Sequence, residues 1–323
     1  MRILLLCAAL ALAAPALPAQ QRPVHTYSIV ARDATTGEIG VAVQSHWFSV
    51  GALVAWAEPG AGAVATQSFV DPSYGPLGIE LMRAGKDAPS ALKALLLSDP
   101  DRDSRQVAMV DAKGTVAVHT GAKCIPAAGH MTGNGFSVQA NLMEKATVWP
   151  AMARAFESAK GDLADRMIAA LEAAEREGGD IRGRQSAAIL IVGPRPSGTP
   201  WNDRIFDLMV EDHPQPVAEL KRLISMRRAY RHMDAGDACA TAKDWPCAAR
   251  EYGAAERLLP GNAEVVFWHA AALATGGKVD DSLPLFRRVF AQEPKWAELV
   301  RRLPGVDLLP KDPRVMERIL SVR

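Results

Sequence analysis

Apolar and polar positions along the first two thirds of the chain switch between periods of two and of 3.6. Tyr27 to Arg32 has strand periodicity, and DATTGE (33–38) makes the turn out of it. IGVAVQS (39–45), ALVAWAE (52–58) and AGAVATQSF (61–69) continue as strands, with Gly and Pro at their boundaries. YGPLGIELMRAG (74–85) and APSALKALLLSD (88–99) then predict two helices, the second carrying Pro89 in its first turn. RQVAMVDAKGTVAVHTG (105–121) predicts a hairpin turning at Lys113-Gly114, and FSVQANLM (136–143) a further strand. Helical spacing returns over 147–158 and 163–176. Two last strands, SAAILIVG (186–193) and IFDLMVED (205–212), flank the loop PRPSGTPWNDR, and VAELKRLISMRRAYR (217–231) leads out as a helix.

Helix pairs inserted between sets of antiparallel strands suit two stacked sheets with helices on both outer faces. The expectation is an α+β domain, a four-layer αββα sandwich, over residues 24–225. The remainder, 229–323, is helical and repeats itself. DWPCAAREYGAAERLLPGNAE and GKVDDSLPLFRRVFAQEPKWAE align at an offset of 34, pairing Ala249 with Leu283, Tyr252 with Phe286, Ala255 with Val289 and Pro260 with Pro294. That period and spacing resemble tetratricopeptide repeats, which are stacked helix-turn-helix units.

Residues 1–19 carry a single positive charge, Arg2, then an apolar run too short to span a membrane, and end in Leu17-Pro18-Ala19. They predict a secretory signal and a periplasmic or secreted mature chain, with no membrane span expected. The formal charge of +1 includes Arg2, so the mature chain is near neutral. Nucleic acid is therefore not an expected partner, because phosphate binding needs clustered Lys and Arg. Of four cysteines, Cys124, Cys239 and Cys247 lie beyond the signal. In the repeat alignment Cys239 falls late in one helix and Cys247 at the start of the next, within reach of a disulfide in an oxidising compartment. None of the seven histidines has a partner at metal-ligand spacing, and phosphate-loop motifs are absent, so neither a metal nor a cofactor is expected.

YSIVARDATTGEIGVAVQSHWFSVGALVAWAEPGAGAVATQSFVDPSYGPLGIELMRAG, RQVAMVDAKGTVAVHTG, AAGHMTGNGFSVQANLM and GGDIRGRQSAAILIV, in that order, resemble the bacterial family called domain of unknown function 1028. The resemblance covers residues 26–222. It implies the αββα fold of the N-terminal nucleophile hydrolases, but no settled reaction or substrate. In such enzymes a Thr, Ser or Cys opening the first strand attacks an amide carbonyl, and its own α-amino group takes the hydroxyl proton. That amine has an ordinary pKa near 7.7 to 8, against about 10.4 for lysine, so an appreciable fraction is neutral at pH 7. By resemblance the position is Thr26. Cleavage after residue 19 would leave six residues, Gln20 to His25, ahead of it, so a further cleavage is required. The competing reading is an ordinary β-branched strand residue.

Ser45 and His46, in QSHWFSVG, sit where the second strand would end beside that terminus, with Trp47 as a pocket wall. Gln67 and Ser68, and Gln139 and Asn141, offer polar groups on neighbouring strands. An Asn141 or Gln139 amide can donate to an oxyanion, or simply satisfy a sheet end. In GGDIRGRQSAA, Asp180, Arg182, Arg184 and Gln185 gather before a strand. Either arginine could clamp a substrate carboxylate, or the segment is a salt-bridged loop, with Asp33 as a further partner. Cys124, near His119 and His130, reads as a small buried residue more readily than as a thiol nucleophile. Two functions stay open: an exported amidohydrolase for a peptide-like or acylamino substrate, or a non-catalytic protein whose repeats hold a protein or cell-wall partner. Homo-oligomerisation is compatible with both.

Overall fold

The protein is described by a computed structural model covering residues 26–322; the expected signal over 1–19 and the domain start at 24 lie outside the described residues. Ten strands form two antiparallel sheets. They are β1 (Thr26–Arg32), β2 (Ile39–Ser45), β3 (Ala55–Glu58), β4 (Gly62–Ser68), β5 (Arg105–Asp111), β6 (Val116–Thr120), β7 (Gly129–Gly133), β8 (Phe136–Ala140), β9 (Ser186–Val192) and β10 (Arg204–Val210). The six-stranded sheet runs β10-β9-β2-β1-β8-β7 and the four-stranded sheet β3-β4-β5-β6, so β1 is central in the larger sheet.

Strand alternation decides which layer each side chain enters. Tyr27, Ile29 and Ala31 of β1 pack outward with Met152 and Phe156 of α4 (Val148–Ser158) and Met167 and Leu171 of α5 (Leu163–Arg176). Val30 points the other way and packs with Val41, Val43, Ala63, Ala65, Ala108 and Val110 between the sheets. On the far side of the four-stranded sheet, Val64, Val107 and Met109 meet α2 (Tyr74–Arg83) and α3 (Ala88–Ser98) through Tyr74, Ile79, Met82 and Leu92. The result is four layers, α, β, β, α. Asp87 caps α3, accepting from Ser90 N at 2.8 Å, with Pro89 in the first turn.

Two local departures have physical causes. ALVAWAE is not one strand: α1 (Gly51–Val54) is a single helical turn and only Ala55–Glu58 pairs in the sheet. The turn lies so close to β9 that a Cβ at Gly51 would sit 2.5 Å from the Ala188 Cβ. GHMTG, missed as a strand, is β7; its three central residues are exposed, so it carries no apolar alternation and is held by pairing with β8.

α6 (Pro216–Thr241) is one unbroken helix through the expected boundary at 225–229. Its first half buries Leu220 and Ile224 in the sandwich core, and its second half buries Ala229 and Met233 in the helical core. The boundary is thus a change of partner, not a linker. Beyond it α7 (Trp245–Leu258), α8 (Ala263–Thr275), α9 (Val279–Gln292), α10 (Trp296–Arg302) and α11 (Pro313–Leu320) pack in succession. The repeat-aligned residues Tyr252, Phe286, Ala255 and Val289 are all buried. Cys239 and Cys247, on α6 and α7, are bridged, with Cα atoms 5.7 Å apart.

Candidate functional site

Thr26 opens β1 and faces the layer between the sheets, because it shares parity with Ser28 and Val30. Thr26 pairs with Ser45 on β2, and Ser45 pairs on its other side with Ser186 on β9, a row of hydroxyl residues across the ends of three strands. Ser186 Oγ accepts from Val50 N at 3.1 Å and donates to the Trp47 carbonyl, which fixes the bend after β2.

Toward this end the inter-sheet layer changes from Val and Ala to amides and hydroxyls. Gln67 of β4, Gln106 of β5, and Ser137, Gln139 and Asn141 on and just beyond β8 all carry the inward parity, and all are fully buried. Ser28 Oγ donates to Gln67 Oε1 at 2.6 Å and accepts from Gln139 Nε2 at 2.5 Å, while Ser137 Oγ donates to Gln139 Oε1 at 2.9 Å. Gln106 is the hub. Its Oε1 accepts from Gln67 Nε2 at 2.6 Å and Asn141 Nδ2 at 2.9 Å. Its Nε2 donates to the Ala140 carbonyl at 2.9 Å, the Gly129 carbonyl at 3.2 Å and Thr120 Oγ1 at 2.9 Å. Backbone carbonyls only accept, so this amide has one permitted orientation, which in turn orients Gln67 and Asn141.

The network ends on the Thr26 backbone. The Thr26 carbonyl accepts from Asn141 N at 3.1 Å, Gln67 Nε2 at 3.2 Å and Asn141 Nδ2 at 3.5 Å. Asn141, expected as an oxyanion donor, therefore directs its amide hydrogens at Thr26 itself and at Gln106. Gln139 likewise directs its amide at Ser28, one turn of the pleat from Thr26. Both act on the position of β1 in this arrangement. Gln106 was missed in the sequence, although a Gln on the buried parity of RQVAMVD was a readable signal.

The GGDIRGRQ loop closes the same end from outside. Asp180 is buried and accepts from His46 N at 3.1 Å, Arg182 N at 2.9 Å, Arg182 Nε at 3.0 Å and Arg182 Nη2 at 2.7 Å. Arg184 Nε lies 3.3 Å from Glu175 Oε1, and the Gln185 carbonyl accepts from His213 N at 2.7 Å. These pairings pin the loop to β2, α5 and the end of β10, the salt-bridged reading of the segment. Asp33 is not part of it: it lies beyond the opposite end of β1, where it caps the 33–36 turn and pairs with Arg166 at 3.2 Å. Hydrogen bonds from Thr36 and Thr35, with Arg166 beside it, outweigh burial and hold its carboxyl below the usual range.

His46 lies beside Gly183, where an added Cβ would sit 3.8 Å from its Nδ1, and that nitrogen makes no hydrogen bond among the described residues. Behind β1 and β2, on the α5 side, the cross-strand pair Tyr27 and Gln44 is fully buried, without side-chain hydrogen bonds among the described residues. Burial, and next the charge of Glu175, push the Tyr27 phenol well up, so it stays protonated. Ser68, next to Gln67, adopts φ 72, a left-handed conformation that costs about 1 kcal/mol for a residue with a Cβ. Its position re-aims the chain after β4, and its side chain is fully buried beside Cys124. Cys124 is buried and donates weakly to the Arg105 carbonyl at 3.4 Å; burial pushes its thiol up, away from thiolate character. His119 and His130 bond elsewhere, to the Arg102 carbonyl and Thr120, both at 2.8 Å. Among the described residues no three His, Cys, Asp or Glu side chains gather as a metal site, and no helix is long and apolar enough to cross a membrane.

The stretch that builds all of this, residues 26–220, matches the model of the family of unknown function DUF1028. The chain belongs to the DUF1028 family. The crystal structure of protein SPO2555 from Silicibacter pomeroyi, a DUF1028 protein, is similar to it at 29% identity and a TM-score of 0.55. That similarity covers 62% of this chain and 87% of the other. No curated protein matches the chain. The family match thus spans the αββα sandwich and stops inside the first half of α6, ahead of the helical core.

Proposed function

We propose that the DUF1028 sandwich of this chain is an exported amide-cleaving hydrolase with Thr26 as an N-terminal nucleophile. One observation carries the reading: Thr26 begins the central strand, faces the polar end of the inter-sheet layer, and has its carbonyl clamped by three donors from Gln67 and Asn141. A buried amide network of this size is costly to leave half-made, so it fixes one position for the strand end. A nucleophile needs that fixed position, because a near-attack geometry tolerates little displacement.

In the proposed reaction, cleavage between His25 and Thr26 frees the α-amino group. Thr26 Oγ then attacks the amide carbonyl of a peptide-like or acylamino substrate, and its proton passes to the amine, directly or through water. The amine returns the proton to the leaving nitrogen as the C–N bond breaks. Water, deprotonated by the same amine, hydrolyses the acyl ester and restores Thr26. Ser45, across the strand pair from Thr26, is the neighbouring hydroxyl available to relay a proton.

A second reading is a non-catalytic partner-binding protein. It is favoured by the complete burial of Thr26, Ser45 and Asn141, and by the amides that bind Thr26 itself instead of facing outward. The two readings are separated by N-terminal sequencing of protein from its native compartment, together with turnover of acylamino and dipeptide substrates by wild type, Thr26→Ala and Thr26→Ser. Catalysis requires a chain beginning at Thr26, loss of essentially all turnover in Thr26→Ala, and partial turnover in Thr26→Ser. A mature chain that retains His25, or an Ala variant as active as wild type, overturns the hydrolase reading.

A further inference from the structure

Far along α6 from the sandwich core, the helical array holds a cavity of about 620 Å³ lined by α6, α7, α8 and the turn at 306–308. Its walls are aromatic and acidic together. Tyr230 and Asp237 come from α6, Trp245 and Tyr252 from α7, and Glu264 and Trp268 from α8. Residues 230, 233, 237 and 240 on α6, and 264, 268, 271 and 272 on α8, recur every three to four positions, so each helix turns one continuous stripe to the cavity.

Two of the carboxylates on the lining are held by phenols. Tyr230 Oη donates to Glu264 Oε2 at 2.8 Å, and Tyr252 Oη donates to Asp237 Oδ1 at 2.6 Å. A phenol orients a carboxylate without neutralising it. Asp237 and Glu264 enter no ion pair among the described residues, whereas Asp234 and Asp307 do, with Arg227 at 3.6 Å and Lys311 at 2.8 Å. Among the described residues that line it, Lys243 is the one cation against four carboxylates. The volume falls within the roughly 300–1,000 Å³ of ordinary ligand pockets and is far larger than a bare ion needs. Met233, Ala271 and Leu308 add apolar surface, which suits an aliphatic stem. Oriented, uncompensated carboxylates between indole and phenol faces complement a planar cation, which can pair with the acids and stack on the rings.

We infer that this cavity binds an arginine-bearing peptide segment of a partner protein, with the guanidinium between Asp237 and Glu264 and its stem against the apolar wall. The inference does not rest on the hydrolase reading: the cavity shares no residue with the Thr26 network, and its assay needs no turnover.

The test uses the full-length chain, whose Trp245 and Trp268 report occupancy by fluorescence, with calorimetry as the second readout. The probes are the capped peptides Ala-Arg-Arg-Ala, Ala-Glu-Glu-Ala and Ala-Ala-Ala-Ala. The arginine peptide is expected to bind saturably and more weakly as salt rises, and the other two not to bind. The double variant Asp237→Asn, Glu264→Gln is expected to lose at least tenfold in affinity with an unchanged circular dichroism spectrum. Lys243→Gln, at an exposed position, is expected to gain two- to threefold, and it decides the matter should the double variant not fold. Equal binding of the glutamate peptide, no saturable binding of the arginine peptide at millimolar concentration, or unchanged affinity in Lys243→Gln overturns the proposal.

Discussion

Replacing Gln106 by Leu keeps nearly the same volume between the sheets and removes only the hub of the amide network. The structure sets the size of the effect. Gln67 Nε2 and Asn141 Nδ2 lose their common acceptor, and the Ala140 and Gly129 carbonyls lose a donor. A buried polar group left without a partner costs about 1–3 kcal/mol, but Gln67 and Asn141 retain their bonds to the Thr26 carbonyl, so the losses do not add in full. The expected cost is about 2–5 kcal/mol, which lowers the melting temperature of a domain of this size by about 4–20 °C. The assay is chemical and thermal unfolding followed by circular dichroism. A cycle with Gln67→Leu adds a second measure, since the double variant removes both members of the shortest amide pair and should cost less than the two single variants summed. A loss below about 1 kcal/mol for Gln106→Leu, or strict additivity in the cycle, would refute the claim that this network fixes the end of β1.

Two further outcomes follow from pairings elsewhere. Burial alone would raise the Asp99 carboxyl, but hydrogen bonds from Arg105 Nε (2.8 Å), Asp101 N (2.8 Å) and Tyr74 Oη (3.0 Å) hold it below its usual value. Its folded pKa is therefore depressed, so its stabilisation is complete above about pH 4 and is lost as pH falls from there through the folded value. Asp99→Asn should weaken the protein by about 3–5 kcal/mol at pH 7 and flatten the acid limb of its stability profile, checked by urea unfolding between pH 3 and 7. For the Cys239–Cys247 bridge, which closes a short segment with a separation of 8, the double Ala variant should lose about 2–3 kcal/mol, with the helical array opening first in hydrogen exchange. Unchanged exchange of α6 and α7 amides would contradict that role.

The sandwich was legible because its core strands alternate and its helices carry a 3.6 period. Exposed β7 escaped because an edge strand need not alternate, and α1 because Gly51 turns helical where it meets Ala188. The candidate site was legible residue by residue: Thr26, Ser45, Gln67, Gln139 and Asn141 do gather at one end of the inter-sheet layer. Their roles were not legible. An isolated Asn141 reads as a donor for substrate; in the fold its amide meets Thr26 and Gln106. Asp33 and Arg182, both plausible partners in the sequence, are at opposite ends of the sheet and pair with Arg166 and Asp180.

Local periodicity carried the order of strands and helices apart from β7 and α1, and the parity of the strands it revealed, because periodicity is a property of neighbours a few residues apart. Tertiary structure decided which polar side chains meet. Ser28 and Gln139 are 111 positions apart and Thr26 and Asn141 are 115 apart, yet both pairs bond because β8 lies beside β1 in the sheet. No local pattern encodes that adjacency. It follows from how the two sheets bury their apolar faces against each other, which leaves the amides at one end to bond one another, the neighbouring hydroxyls and backbone carbonyls, that of Thr26 among them.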